Sequence, residues 1–363
     1  MNKAETTTPC LYIDIQKLKA NLETLSAAVK SAGCSLTIVT KSFCADKKIV
    51  EMLDASPLVD YLADARLQNL KTYAGRGKPT VLLRLPQASE IEDVISYADI
   101  SLNSEPDTLR LLNAEAARRN KKHKVILMID LGDLREGIFF MEDKKILKTA
   151  EGVLGMKNLE LYGIGANLTC YGAVIPTTEN LSLLTSWAER IRTRYGIELP
   201  VVSGGNSSSF YLIEKGGLPR GINNLRLGEA FIVGREAAYK RRIKNTFDDG
   251  VTLEARIIEV QVKPSMPAGE RGVDAFGKKP VFKDQGMMKR AICAVGRQDL
   301  ELPGIIPQEP GLEILGASSD HLILTIDSAE GDYKTGDTIR FIPDYVALLR
   351  LFTSPYVGRV YSG

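Results

Sequence analysis

The chain has 363 residues, 44% of them hydrophobic, and a formal net charge of +2, which is enough length and apolar content for one large and one smaller folded domain. The longest basic cluster, Lys240-Arg241-Arg242, is too short for a nucleic-acid surface, and no apolar run is long enough to cross a bilayer. Five dispersed cysteines without a C-x-x-C pair argue against a disulfide framework or a cysteine zinc site; with no apolar signal core at the start, a cytoplasmic location is expected.

In chain order, the run Leu11–Ile15 comes first and is expected to be able to pair with a later domain. Eight short apolar runs follow as candidate strands: 36–40, 61–63, 81–85, 100–102, 125–130, 161–166, 200–203 and 224–227. Stretches of helical period lie between them. One opens Ser104-Glu105-Pro106-Asp107, with Ser104 as expected N-cap, proline in the first turn, and Leu109, Leu112 and Ala116 on one face. Strands alternating with helices imply parallel pairing, and eight units predict a closed (β/α)8 barrel. An open doubly wound sheet is the rival, but no G-x-G-x-x-G follows the first strand. Near Ala237 the pattern changes to short β-rich runs between glycine and proline turns. Residues 1–237 are therefore expected to form the barrel and 238–363 a mostly antiparallel β domain.

In such a barrel, chemistry sits at the C-terminal ends of the strands. Lys41 follows the first strand, Asp130–Gly137 the fifth, Asn167–Cys170 the sixth, Ser203–Ser209 the seventh, and Arg226–Glu229 closes the eighth. Singly, each has a plain reading. A strand-end lysine reaches out to water, a serine-rich turn caps itself, and an arginine finds a carboxylate. His123, inside Lys121-Lys122-His123-Lys124, is expected on a solvated face; with only one other histidine, His321, no multi-histidine metal cage is expected. Together, an amine able to act as a nucleophile, a Gly204-Gly205-Asn206-Ser207-Ser208 phosphate cradle and an arginine on one rim suggest pyridoxal phosphate.

Thr40-Lys41, Asp130-x-Gly-x-x-Arg135, Asn206-Ser207, Arg226-x-Gly228 and Arg359-Val360-Tyr361 occur in an order that resembles the alanine racemase superfamily, the fold III pyridoxal-phosphate enzymes. Within it, Asp133-Leu134-Arg135-Glu136-Gly137, Asp274-Ala275-Phe276-Gly277, Gly296-Arg297-Gln298-Asp299 and Ser318-Ser319-Asp320-His321 are similar to the ornithine racemase branch. The resemblance implies an amino-acid racemase acting on ornithine, or on alanine, lysine or serine, and working as a homodimer with shared sites. It implies that Lys41 holds the cofactor and serves as one base. Asn167, Ser207, Arg226, Gly228, Glu229 and Tyr361 would contact the cofactor. Arg135 would bind the substrate carboxylate, with Ser319 approaching the same end and Asp320 or Asp133 meeting a terminal amine. Phe276 stands where these enzymes usually carry a tyrosine base, and Met128 and Asn167 replace a lysine and a histidine. Racemisation moves protons on both faces of one carbon, so a second base is required; His321 is the first candidate and Tyr356 the second. A D-threonine aldolase or D-serine dehydratase would need metal ligands where Tyr345 and Ala347 stand, and a lone-barrel vitamin B6 carrier would not have residues 238–363.

Overall fold

After a first strand, β1 (Cys10–Asp14), which joins a different sheet, the chain alternates strand and helix around a closed barrel. The barrel strands are β2 (Ser35–Val39), β3 (Tyr61–Asp64), β4 (Thr80–Leu82), β5 (Ile100–Asn103) and β6 (His123–Asp130). A two-residue strand β7 (Ile138–Phe139) follows, then β8 (Leu159–Gly165), β9 (Val201–Ser203) and β10 (Asn224–Leu227). In the computed structural model, which describes residues 8–363, they pair in parallel in the order β5-β4-β3-β2-β10-β9-β8-β6, and a β5–β6 pairing closes the ring. β7 only extends the end of β6, with Ile129 opposite Ile138.

Both faces of each strand are buried, so the strands read as continuous apolar runs rather than alternating ones. Val39, Ala63, Val81, Leu102, Met128 and Val201, drawn from six strands, cluster together and fill the lumen. Ile38, Leu62, Leu82 and Leu127, at adjacent positions, are buried as well, on the opposite strand face that meets the helices. The helix Ile15–Ser31 supplies Leu18, Leu22, Leu25 and Val29, spaced to line one face. The helix Pro106–Arg118 buries Leu109, Leu112 and Ala116 as expected, but Glu105 rather than Ser104 occupies its cap position, without a side-chain cap bond. Proline at the first turn is enough to set its start.

The barrel unit spans Lys17–Phe247. Its last turn is fixed by Asn21, whose amide donates to Phe247 O at 2.9 Å and accepts from Phe247 N at 2.7 Å. Helical patterning fades near Ala237, but packing onto the barrel continues ten residues further.

The other unit joins the described residues up to Gln16 to Asp248–Gly363. Its strands are β11 (Val251–Pro264), β12 (Met287–Cys293), β13 (Ile305–Pro307), β14 (Glu313–Ala317), β15 (Leu322–Thr325), β16 (Thr338–Pro343) and β17 (Gly358–Ser362). They run antiparallel in the order β13-β16-β11-β12-β15-β14. β1 lies between β11 and β17, antiparallel to the first and parallel to the second, with Leu11 opposite Leu253 and Ile13 opposite Tyr361. Among the described residues no helix is long and apolar enough to cross a membrane.

His123 departs from expectation. It opens β6, is 4% exposed, and its Nε2 lies 2.7 Å from Ser101 Oγ. The three neighbouring lysines suggest solvent, but strand alternation turns His123 inward. Burial lowers its pKa from 6.5 to about 4. Between those values the unfolded chain binds a proton that the folded chain does not, so stability falls as pH falls. Urea unfolding from pH 7 to pH 4 should show a loss on the order of 3 kcal/mol from this group, flattened in His123→Gln; equal slopes for both proteins would count against it.

Candidate active site

Lys41 lies not in a strand but in a single 3-10 turn, Thr40–Phe43, directly after β2. Anchors on both sides hold the turn. Thr40 Oγ1 donates to Asp64 Oδ2 at 2.5 Å and lies 3.0 Å from the Tyr73 hydroxyl. Burial pushes the Asp64 carboxyl up, against the hydrogen bonds from Thr40 and Asn69. Phe43 is fully buried, edge-on to Phe231 at 5.9 Å. Between these anchors Lys41 is half-buried, and its amine makes no hydrogen bond or ion pair among the described residues. It lies close enough to Cys170 to draw that thiol's pKa down, although burial outweighs this and the net shift is upward.

Arg226 is 4% exposed on β10, opposite Thr37 of β2. Its direct partners are uncharged. Nη1 donates to Ser203 Oγ, and Nη2 to Ala166 O at 2.8 Å and Asn167 Oδ1 at 3.3 Å. Ser203 in turn donates to Asn224 Oδ1 at 2.5 Å, and Asn224 donates to Thr37 Oγ1 at 2.9 Å. A polar chain thus crosses from β9 through β10 to β2. Burial lowers the Arg226 pKa to about 10, partly opposed by the negative charge of Glu136.

The Asp130-x-Gly-x-x-Arg135 motif is a built loop. Asp130 Oδ1 accepts from Gly132 N at 2.9 Å and Leu134 N at 3.2 Å. Gly137 has φ +120°, and a Cβ there would sit 2.6 Å from Asp130 N, so only glycine lets the chain turn back onto β6. The loop presents Arg135 outward, with Glu136 bound beside it through Arg135 Nε and Nη2. Glu136 also accepts from Asn167 Nδ2 at 2.9 Å. Burial would raise its pKa, but the Arg135 guanidinium and the Asn167 amide outweigh it and hold the carboxyl below the usual range.

Ser207 is buried at the head of the Ser207–Ser209 turn, and its Oγ accepts from Gly228 N at 3.3 Å and Ala230 N at 3.1 Å. The remaining serines are engaged structurally: Ser208 donates to Leu168 O and Ser209 to Gly204 O. A Cβ on Gly228 would come within 3.1 Å of Val39, so the ends of β10 and β2 meet closely beside the Lys41 turn. Asn206 Nδ2 donates to Asn167 Oδ1 at 3.0 Å and to Leu168 O at 2.9 Å. Lys41, Arg135, Asn167, Ser207, Arg226 and Gly228 therefore share one rim of the barrel.

Two expected residues serve other partners. Glu229 carries an ion pair with Lys240 at 2.7 Å. Asp133, expected at the substrate, is fully buried. Its carboxylate accepts from Cys170 N at 3.0 Å, Tyr171 N at 2.9 Å and Val174 N at 3.1 Å, which fixes the loop after β8 instead. Ser319, Asp320 and His321 occupy an exposed turn between β14 and β15. Gly296 backs directly onto it, with Gln298 N donating to Ser319 O at 3.0 Å, and His321 Nδ1 lies 3.3 Å from Ser318 Oγ. Arg297 lies over the Phe276 ring at 4.7 Å. Tyr356 is 66% exposed beside Gln298 and Arg350, and Tyr361 lies on β17. Sequence reasoning gave Glu136 no role of its own and placed Asn206 only within the phosphate cradle, not against Asn167. A carboxylate next to the loop arginine was the available signal for the first.

A family model of the alanine racemase N-terminal domain matches residues 13–235, and the chain belongs to that family. It is 51% identical over 351 residues to the ornithine racemase of Acetoanaerobium sticklandii, covering 97% of this chain and 99% of that protein. It is 38% identical over 356 residues to the lysine racemase of Thermotoga maritima, covering 98% of each. Among solved structures, an alanine racemase from Bartonella henselae with covalently bound pyridoxal phosphate superposes with a TM-score of 0.74 at 19% identity, covering 98% of this chain and 100% of that one.

The hydrogen bonding of Asp133 generates a test. Asp133→Asn leaves an amide that cannot accept from all three N–H groups. It should cost about 1–3 kcal/mol and speed hydrogen exchange at Cys170, Tyr171 and Val174. Unchanged exchange with a raised KM would return Asp133 to the substrate.

Proposed function

We propose that this chain is a pyridoxal-phosphate-dependent amino-acid racemase that interconverts L- and D-ornithine. The observation that carries the reading is an amine with no hydrogen-bond or ion-pair partner among the described residues, on the same rim as a buried guanidinium and a serine–glycine turn. The relationship to the Acetoanaerobium sticklandii ornithine racemase supports the substrate.

The residues fit the cofactor. Lys41 offers a half-buried amine able to form a covalent bond. The Gly228 and Ala230 N–H groups donate to Ser207 Oγ within 3.3 Å, which leaves the Ser207 O–H to donate outward at a turn suited to phosphate. Arg226, with uncharged partners, is a fixed cation suited to a neutral ring nitrogen. When bound, pyridoxal phosphate supplies an electron sink that makes the substrate α-proton labile.

Lys41 takes and returns that proton on one face of the substrate. Arg226 opposes protonation of the nitrogen it faces, because a second positive charge beside it is unfavourable. Arg135 keeps one edge of its guanidinium on Glu136 and offers the rest to the substrate carboxylate, where planar geometry allows two parallel hydrogen bonds. Asn167 braces Arg226, and Ser207 and Gly228 hold phosphate together with Tyr361. The protein is proposed to act as a homodimer in which His321, or else Tyr356, completes the second face, Ser319 approaches the carboxylate end of the substrate, and Asp320 meets its terminal amine. A cytoplasmic location accords with five cysteines that are all free thiols.

The lyase alternative has less support. In the stretch where such enzymes need metal ligands, Asp344 is used as a helix cap, accepting from Ala347 N at 2.9 Å.

Incubating the protein and pyridoxal phosphate with L-ornithine in D2O, then resolving enantiomers, should give D-ornithine with deuterium at the α-carbon. Lys41→Ala should slow this by about 10³-fold or more. Ornithine that stays optically pure while another amino acid racemises would overturn the substrate, and no α-exchange in any amino acid would overturn the racemase.

A further inference from the structure

Glu136 touches both the outward arginine and the asparagine that braces the buried one. A carboxylate can only accept hydrogen bonds. Arg135 therefore turns its Nε and Nη2 edge toward Glu136, and Asn167 must present its amide nitrogen, which it does at 2.9 Å. That choice leaves Asn167 with its oxygen facing the other way. Arg226 Nη2 at 3.3 Å and Asn206 Nδ2 at 3.0 Å both donate to it. Glu136 thus accepts from Arg135 and Asn167, and the Asn167 oxygen in turn accepts from Arg226 and Asn206. The side chain of Glu136 is 12% exposed, so water does little to screen the arrangement.

We infer that Glu136 is a positioning residue that couples the two arginines: its carboxylate holds both Arg135 and the Asn167 amide that braces Arg226, so that substrate-carboxylate binding and cofactor binding depend on one another. The inference rests on the racemase reading above. It requires more of Glu136 than a local ion pair. A surface pair would orient Arg135 alone, whereas here the same carboxylate also holds the Asn167 amide nitrogen. A neutral amide at position 136 could still accept from Asn167 but without the charge, so Asn167 would be held less firmly and would brace Arg226 less well.

Glu136→Gln in the full-length protein tests this, with two readouts. The KM for L-ornithine should rise about 10- to 100-fold, the loss of a hydrogen bond to a charged group, with kcat changing less. The affinity of cofactor-free protein for pyridoxal phosphate, titrated by absorbance, should fall about 2- to 10-fold, because Arg226 is braced less well. Glu136→Asp, which keeps the charge, should lose less in both. Raised KM with unchanged cofactor affinity would overturn the coupling, and so would wild-type values of both. If Glu136→Gln does not fold, judged by thermal melting of the cofactor-free protein, Arg135→Lys reads the chain from its other end. It should weaken pyridoxal phosphate binding about 2- to 10-fold although Arg135 does not touch Arg226, and unchanged binding would overturn the inference. Wild-type protein that racemises normally while these variants match it would sink only this inference. Wild-type protein that exchanges no α-proton would sink the racemase reading and this inference with it.

Discussion

A guanidinium buried inside a barrel is the constraint around which the upper lumen is organised. Removing a cation from water costs several kcal/mol, and Arg226 recovers this through a serine, a backbone carbonyl and an asparagine rather than through a direct carboxylate. Below it, Val39, Val81, Leu102 and Met128 fill the barrel with apolar volume. Around it, Ser203, Asn224 and Thr37 replace that volume with hydrogen bonds. The lumen therefore divides into an apolar plug and a polar ceiling, and the ceiling is where the strand ends open into loops. The nearest negative charge that lowers the cost, Glu136, sits one residue away, beyond Asn167. This spacing keeps Arg226 cationic while leaving its face unblocked by a carboxylate.

Rigidity is supplied from behind. Thr40 is tied to a buried Asp64 and to Tyr73, so the turn carrying Lys41 is anchored in the barrel wall while its amine projects from it. Asp130 and Asp133 do the same for the two loops beside it, each spending a carboxylate on backbone N–H groups. Three aspartates near the site thus support it without facing it. A fixed frame suits a reaction that must take a proton and return it at one carbon.

Much of this was legible in the sequence. The eight barrel runs were visible because parallel strands buried on both faces lose their polar alternation, and the glycines of the Asp130 and Gly204 loops marked where chain had to turn tightly. Lys41 and Ser207 were singled out because they follow strands, and Arg226 because it stands near the end of one. The departures have physical causes. Asp133 read as a substrate group because sequence gives the charge of a side chain but not the direction it faces. His123 read as solvated because of its lysine neighbours, but Lys121 and Lys122 are exposed ahead of the strand while His123 opens it in a layer buried on both faces. Ser104 gave way to Glu105 because the proline that follows had already set the helix start. The barrel's end at Phe247 depends on Asn21, more than two hundred residues earlier, and no local pattern carries that information. Glu136 was overlooked because its importance comes from Asn167, in the loop after a different strand.

The central claim is that this rim is organised to present one lysine among the chain's many to an aldehyde cofactor. Trapping tests it directly: the protein is loaded with pyridoxal phosphate, reduced with borohydride, digested, and mapped by mass spectrometry. The account predicts one stoichiometric pyridoxyl modification, on Lys41. Stoichiometric labelling of any other lysine, with Lys41 unmodified, would contradict it.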